Sequence, residues 1–137
     1  MGSFLDFLKV SLVKAASCRV APAGTILINR RNTSKTSHSC PNCGSWIKHW
    51  NILSGKTIPV KGDCAVSGCD GRTRNGDLAE IVGCHVMIKK TGNEEDRNVY
   101  IAPLCESCNQ RADVDEMTLK REVVLVRANV AETCSRL

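Results

Sequence analysis

The pattern of hydrophobic and polar positions predicts a helix at the start of the chain and short strands after it. Leucines and an alanine recur at helical spacing within residues 3–16, which predicts an amphipathic helix. Residues 25–29 and 122–127 are short runs rich in β-branched side chains, as is typical of strands. The pattern therefore favours a small α+β fold with an N-terminal helix and several short strands.

A β-hairpin is predicted in the second half of the chain. Residues 78–90 form its first arm, residues 91–98 its charged tip and residues 99–101 its returning arm. Pro103 has no backbone N–H to donate, so it is expected to end the pairing. A helix is then expected to run from Cys105 to about Asp113.

The length of the chain limits its organisation. Its 137 residues suggest one domain, residues 21–137, with the helical segment 1–20 as an appendage. Only 4% of the residues are aromatic, so large core side chains are few. The nine cysteines could provide a cross-link that compensates for this shortage.

Six of the nine cysteines form what we name the first, second and third cysteine pairs: Cys40 and Cys43, Cys64 and Cys69, and Cys105 and Cys108. Their spacings are typical of zinc knuckles, in which a tight turn directs two sulfurs at one ion. Disulfides are an alternative, but nine cysteines cannot all pair within one chain, and charged residues interrupt the N-terminal apolar run that an export signal needs. A redox C-x-x-C motif is another alternative, but it normally opens a helix in a βαβ unit, which the pattern does not indicate. The zinc interpretation implies a reducing, intracellular location, cytoplasmic or nuclear.

The charge is unevenly distributed along the chain. Residues 19–76 contain nine Lys and Arg against two Asp, for a net charge of +7. Residues 77–137 contain eight Lys and Arg against eleven Asp and Glu, for a net charge of −3. The basic stretch makes nucleic acid a plausible partner, although a solvated basic surface without a partner has the same composition. The predicted helix 3–16 is a candidate surface for a protein partner or a homodimer, and no apolar run is long enough to suggest a membrane span.

Three motifs in one part of the chain resemble a known family. They are Cys64-x4-Cys69, then Gly83-Cys84-His85-Val86, then Tyr100-Ile101-x-Pro103-Leu104-Cys105-x-x-Cys108-Asn109. In this order they resemble the HNH (His-Me finger) endonucleases, over roughly a third of the chain. The resemblance implies a zinc-stabilised ββα-metal core, similar to a treble clef, with extra short strands.

The resemblance also implies site residues, not all of which the chain retains. His85 aligns with the general base that activates water, and Asn109 with a residue that contributes at a Mg²⁺ ion. Cys84 stands where the family has an aspartate or histidine that binds this ion, and a thiol is a poor ligand for Mg²⁺. Tyr100 stands where the family has its middle asparagine. The resemblance therefore predicts the fold more strongly than it predicts catalysis.

Two arrangements of the zinc ligands stay open at this point. In the family-like arrangement, the second and third pairs form a closed, structural four-cysteine site, and the first pair takes ligands from His49, His38, or His85 with Cys84. In the other arrangement, the first pair joins the third, and the second pair binds with Cys84 or His85. Six paired cysteines with one or two histidines fit two zinc ions better than one. A zinc-bound His85 could not act as a base.

Three functional hypotheses follow. The first is a catalytically degenerate HNH-like zinc module that binds nucleic acid or a protein partner. The second is an active divalent-metal-dependent endonuclease in which His85 is the general base and Asn109 contributes at the Mg²⁺. The third is a zinc-stabilised interaction protein with no role at nucleic acids.

Overall fold

The computed structural model describes residues 18–30, 45–57, 61–89, 98–112 and 114–128. Within these residues, six strands form one antiparallel sheet. The strands are β1 (Cys18–Ala21), β2 (Ile26–Asn29), β3 (Ile81–Ile88), β4 (Tyr100–Cys105), β5 (Met117–Thr118) and β6 (Val123–Arg127). Their order across the sheet is β1-β6-β4-β3-β2-β5. With the two helices α1 (Trp46–Ser54) and α2 (Glu106–Asn109), this is a small α+β fold made mostly of strands.

Two strands that the sequence predicts are confirmed. β2 lies within residues 25–29 and β6 within residues 122–127. β1 was not predicted; it pairs with β6 and crosses the expected domain boundary after residue 20, so residues 18–20 belong to the sheet. The predicted helix 3–16 lies outside the described residues.

The predicted hairpin is formed by β3 and β4, but its second arm is longer than expected. The expectation that Pro103 ends the pairing is wrong, because Pro103 pairs with Gly83 and β4 continues to Cys105. The Ala128 N–H donates to the Val99 carbonyl, 3.0 Å away, so odd-numbered residues of this arm direct their polar groups toward β6. The pairing of β4 with β6 stops two residues before Pro103. The N–H that Pro103 lacks would therefore have faced β6, where the hydrogen bonds between β4 and β6 have already ended.

The helix after the hairpin is shorter than expected. It comprises a single turn, α2, whereas the sequence suggested a helix to about Asp113, a position outside the described residues. The Gln110 N–H donates to the carbonyls of Glu106 and Ser107, 3.1 and 3.3 Å away, and the Arg111 N–H to that of Cys108, 3.2 Å away. Bonds to the third residue back tighten and end a helical turn.

The helix α1 was not predicted, although both of its ends carry ordinary capping residues. The Ser45 hydroxyl accepts a hydrogen bond from the Lys48 N–H at 3.2 Å, which satisfies one donor of the first turn. Gly55 adopts a left-handed conformation and donates its N–H to the Asn51 carbonyl. No helix among the described residues has the length and apolar character needed to cross a membrane.

The sheet separates two packed faces. Because successive side chains of a strand point to opposite faces, β3 places Cys84 on one face and His85 on the other. The face that carries Cys84 contributes to the larger apolar cluster, which includes Leu104, Cys64, Cys105 and Cys108. On the other face, Trp50 of α1 packs with Ile101 and Val126. We name these the knuckle face and the helix face.

Helix α1 approaches the sheet most closely at Gly83. A Cβ atom at this position would lie 2.6 Å from the Trp46 carbonyl carbon and 2.7 Å from the Ile47 nitrogen. Both are backbone atoms, which cannot rotate away as a side chain can. The first turn of α1 therefore rests directly on the β3 backbone, and only a glycine leaves room for it.

Candidate metal centre

Four cysteines converge at the end of the hairpin. The sulfurs of Cys64, Cys69, Cys105 and Cys108 all lie within 4.8 Å of one another. The Cys64 and Cys108 sulfurs are 3.7 Å apart, and the Cys69 and Cys105 sulfurs are 3.5 Å apart. Sulfurs at about 2.3 Å from a tetrahedral Zn²⁺ ion stand about 3.8 Å from each other. The four sulfurs therefore fit a zinc ion, and they belong to the second and third cysteine pairs.

The second pair is positioned by a loop that is bonded to its surroundings through the backbone. The Cys69 N–H donates to the Val66 carbonyl at 3.1 Å, which closes the turn between the two cysteines. The Ser67 N–H donates to the Thr118 carbonyl at 2.7 Å and holds the turn against β5. Gly71 has a positive φ of 68°, and a Cβ there would lie 2.9 Å from the Asp63 nitrogen. The loop thus folds back tightly on itself beside the cysteines.

The third pair is positioned by the hairpin. Cys105 is the last residue of β4 and pairs with Ile81 at the start of β3. The Glu106 N–H donates to the Glu80 carbonyl at 2.9 Å, so α2 begins directly beside that start. Cys108 follows in α2 and is 1% exposed. The centre therefore joins one end of the hairpin to the loop that precedes it.

Hydrogen bonds to sulfur support ionised thiolates at this centre. The Cys105 N–H donates to the Cys64 sulfur at 3.5 Å, and the Gly71 N–H donates to the Cys69 sulfur at 3.4 Å. The bond from Cys105 favours the charged form of Cys64. These hydrogen bonds suit a closed site whose four ligands are all thiolates.

Mutual contacts and burial shift the pKa values of Cys64, Cys105 and Cys108. The hydrogen bond between the Cys64 and Cys108 sulfurs lowers the pKa of Cys64 to about 5 and raises the pKa of Cys108. Burial raises the pKa of Cys105 to about 11. Four negative sulfurs within 4.8 Å would repel one another strongly without a cation between them. A divalent cation removes this repulsion, and its binding releases the remaining protons.

Cys84 is close to this centre but lies outside the four-sulfur cluster. Its side chain is fully buried on the knuckle face, and burial raises its thiol pKa. His85 points to the helix face, so Cys84 and His85 cannot bind one ion together. Of the two ligand arrangements, the described residues therefore favour the one that joins the second pair to the third.

His85 lies beneath the N-terminal turn of α1. The ring of Trp46 meets the His85 ring edge to face, with centroids 4.7 Å apart, and meets the His49 ring similarly at 5.2 Å. His85 is 7% exposed, and burial, followed by the charge of His49, lowers its pKa to about 4. Its imidazole is therefore neutral at pH 7.

The other predicted ligands and site residues are dispersed. His49 is fully buried, and its Nε2 atom lies 3.1 Å from the Arg127 carbonyl, to which an N–H there would donate. Burial also lowers its pKa. Asn109 ends α2 and is half-buried. His38 and the first cysteine pair lie outside the described residues.

No protein-family model, curated protein or solved structure matches this chain. The resemblance to the HNH endonucleases therefore rests on the motifs of the chain itself. The described residues do contain a hairpin with His85 in its first arm and a cysteine pair at the start of the following helix. Membership of that family stays a prediction.

One residue of the centre was missed by the sequence analysis. Asn29 ends β2, is 1% exposed, and its amide nitrogen lies 2.7 Å from the Cys108 carbonyl. The only local signal is a polar side chain that closes an apolar strand. Its partner is 79 positions away along the chain, so no spacing rule could identify the contact.

Proposed function

We propose that the chain is a zinc-binding module with a degenerate HNH-like domain, which binds nucleic acid or a protein partner and does not cleave it. The observation that carries the proposal is the cluster of four cysteine sulfurs. Four thiolates occupy all four coordination positions of a tetrahedral zinc ion and leave none for water or substrate. The ion is therefore proposed to be structural, with one ion bound by the second and third cysteine pairs.

The proposed zinc ion would join segments that are distant in the sequence. It would hold the end of the hairpin and α2 to the loop that carries Cys64 and Cys69. Helix α2 has only four residues, and a single turn is not stable on its own. Zinc binding would therefore contribute directly to the free energy of folding.

The surroundings of His85 support a binding role rather than catalysis. Trp46 covers the imidazole, and its pKa of about 4 lies well below the range near neutrality that suits a general base. Cys84, which stands in the position of the family's metal ligand, is fully buried, and a thiol is a poor ligand for Mg²⁺. The position at which the family mechanism needs a Mg²⁺ ligand therefore lacks a suitable one.

The exposure of the basic residues supports nucleic acid as the first partner to test. Every Lys or Arg of residues 19–76 that the structure describes is exposed: Arg19, Arg30, Lys48, Lys56, Lys61, Arg72 and Arg74. Exposed cations attract phosphates and release counterions on binding, so affinity falls steeply with salt.

Zinc content, measured by native mass spectrometry on the wild type and on His85→Ala, tests the metal assignment. We expect both proteins to carry the same number of zinc ions, because His85 is not among the side chains that cluster at the four sulfurs. Loss of one zinc in the variant would make His85 a ligand and would contradict the assignment.

Binding is tested by fluorescence anisotropy with labelled duplex DNA and with labelled RNA. We expect affinity to fall steeply between about 50 and 200 mM salt, and Arg72→Ala with Arg74→Ala to reduce the salt dependence by about one phosphate contact each. Lys120→Ala is the matched control, because Lys120 is also exposed but belongs to the acidic half of the chain. Equal losses of affinity in the arginine variants and in Lys120→Ala would contradict a basic interface. Absence of binding at low salt, with dimerisation lost on deleting residues 3–16, would instead support a pure interaction protein.

The alternative function is an active endonuclease with His85 as the general base. Its neutral, slightly exposed imidazole is the observation that favours it. The test is nicking of supercoiled plasmid with and without Mg²⁺. Cleavage that requires Mg²⁺ and disappears in His85→Ala and Asn109→Ala, but persists in Cys84→Ala, would select this alternative over the binding module.

A further inference from the structure

The amide of Asn29 lies beside the second half of the metal centre. Its Nδ2 atom is 2.7 Å from the Cys108 carbonyl, 3.0 Å from the Arg111 carbonyl and 3.4 Å from the Asn109 carbonyl. Asn29 itself is 1% exposed and lies at the end of β2, beside β3. It is one of the few buried polar residues among those described.

The surroundings fix the orientation of this amide. All three neighbouring groups are carbonyl oxygens, which only accept hydrogen bonds, so the –NH₂ group must face them. The Oδ1 atom then points the other way and has no hydrogen-bond partner among the described residues. A buried oxygen without a partner is unfavourable, so this residue is not explained by general packing.

Two of the three carbonyls, those of Cys108 and Asn109, belong to the end of α2, where a helix leaves its last carbonyls without intrahelical partners, and the Arg111 carbonyl follows directly after it. A one-turn helix also has too few internal bonds to hold its own conformation. The Asn29 amide supplies donors from a strand of the sheet, and one of them bonds the backbone of Cys108. Cys108 places its sulfur 3.7 Å from that of Cys64.

We infer that Asn29 is a positioning residue of the metal centre, which fixes the backbone of Cys108 so that its sulfur is in place before the ion binds. The inference rests on the proposed zinc site. Asn29 does not touch the ion; it acts through the carbonyls of α2. Its amide restricts the conformations of α2, so a larger fraction of the molecules has the Cys108 sulfur in place for the ion. A larger binding-competent fraction gives a higher apparent affinity for the ion.

The expected effect is a loss of metal affinity. Replacing residues that orient metal ligands typically lowers affinity by about 10–100-fold. We expect Asn29→Leu, which keeps the size of the side chain and removes the amide, to fall in this range. We also expect it to release the ion faster to a competing chelator.

Two measurements on the full chain separate positioning from a general loss of stability. The Zn²⁺ dissociation constant is measured by competition with a chromophoric chelator, and the Co²⁺ complex is followed by its thiolate charge-transfer and d–d absorption bands. Leu53→Ala is the matched control, because Leu53 is 1% exposed but packs on the helix face in the cluster of Trp50. The control should lower thermal stability and leave the Co²⁺ bands unchanged.

The outcomes distinguish this inference from the proposed function. A wild type that binds neither ion in a tetrahedral thiolate site would refute the zinc site itself. The second outcome is a wild type that binds both ions while Asn29→Leu binds Zn²⁺ no more weakly than Leu53→Ala and has unchanged Co²⁺ d–d bands. This outcome would refute only the role of Asn29. Should Asn29→Leu fail to fold, Asn29→Ser is measured in the same way, and an affinity equal to that of the control would refute the role as well.

Discussion

Substitution of Gly83 by alanine tests whether α1 rests on β3 as described. The added methyl would lie 2.6 and 2.7 Å from two backbone atoms of α1, whereas carbon atoms pack best at about 3.5–4.0 Å. The helix would have to move about 1 Å away from the sheet to restore a normal contact. Inserting a methyl into a packed core typically costs about 1–3 kcal/mol, and we expect the upper end, since neither backbone atom can rotate away.

The two tryptophans of the chain make this perturbation directly measurable. Both Trp46 and Trp50 lie in α1, and Trp50 is 1% exposed, so intrinsic fluorescence reports on the packing of this helix. Urea unfolding of Gly83→Ala, followed by fluorescence, should show a stability loss of about 3 kcal/mol. The native emission should also shift to longer wavelength, as water reaches Trp50.

Gly24→Ala is the control for adding a methyl group at a glycine. No atom lies within 4 Å of the Cβ position at Gly24, although its φ is +92°. This variant should lose only about 1 kcal/mol, from backbone strain, with unchanged emission. A Gly83→Ala protein with an unshifted native spectrum and a loss no greater than that of the control would refute the close approach of α1 to β3.

Three further predictions concern the metal centre and the helix face. Cys105→Ser should lower the zinc content measured by mass spectrometry, whereas Cys84→Ala should keep it, and equal zinc loss would contradict the ligand assignment. A carbon-detected NMR titration should show that the His85 imidazole is still neutral well below pH 6.5, because its pKa in the folded protein is lowered to about 4. The contribution of His85 to the free energy of unfolding is therefore present above pH 6.5 and is lost as the pH falls toward 4. Trp50→Phe should cost about 1 kcal/mol in urea unfolding, because the Trp50 Nε1–H donates to the Val124 carbonyl at 2.7 Å; a neutral substitution would refute that bond.

The parts of the fold that follow from local patterns could be predicted from the sequence. β2 and β6 are apolar runs that each end in one polar residue, and the cysteine pairs have spacings that a tight turn dictates. The prediction of Pro103 as the end of the hairpin failed because it treated a local rule as sufficient. Pro103 is tolerated because the side of β4 that it faces has no paired strand at this point. That depends on where β6 ends, which cannot be read from the residues near Pro103.

Helix α1 shows a second kind of limit. Its sequence contains two tryptophans, a histidine and a lysine, which give a weak helical pattern, and its stability comes from packing on the sheet. The role of Asn29 was missed for a related reason, because its carbonyl partners lie in a distant segment. Long-range contacts of this kind decide which of several plausible local structures forms.

The register of β1 and β6 brings the two ends of the described chain together. Cys18 pairs with Val126, and Ala128 bonds to Val99 beside the start of β4, whereas Cys105 ends β4 at the opposite side of the sheet. Five residue steps of strand separate these two sides by about 17 Å. An affinity tag or a second protein attached at residue 18 or residue 128 would therefore join the described sheet at the side away from the cysteines. Immobilisation through either of these residues would turn the four clustered cysteines away from the support.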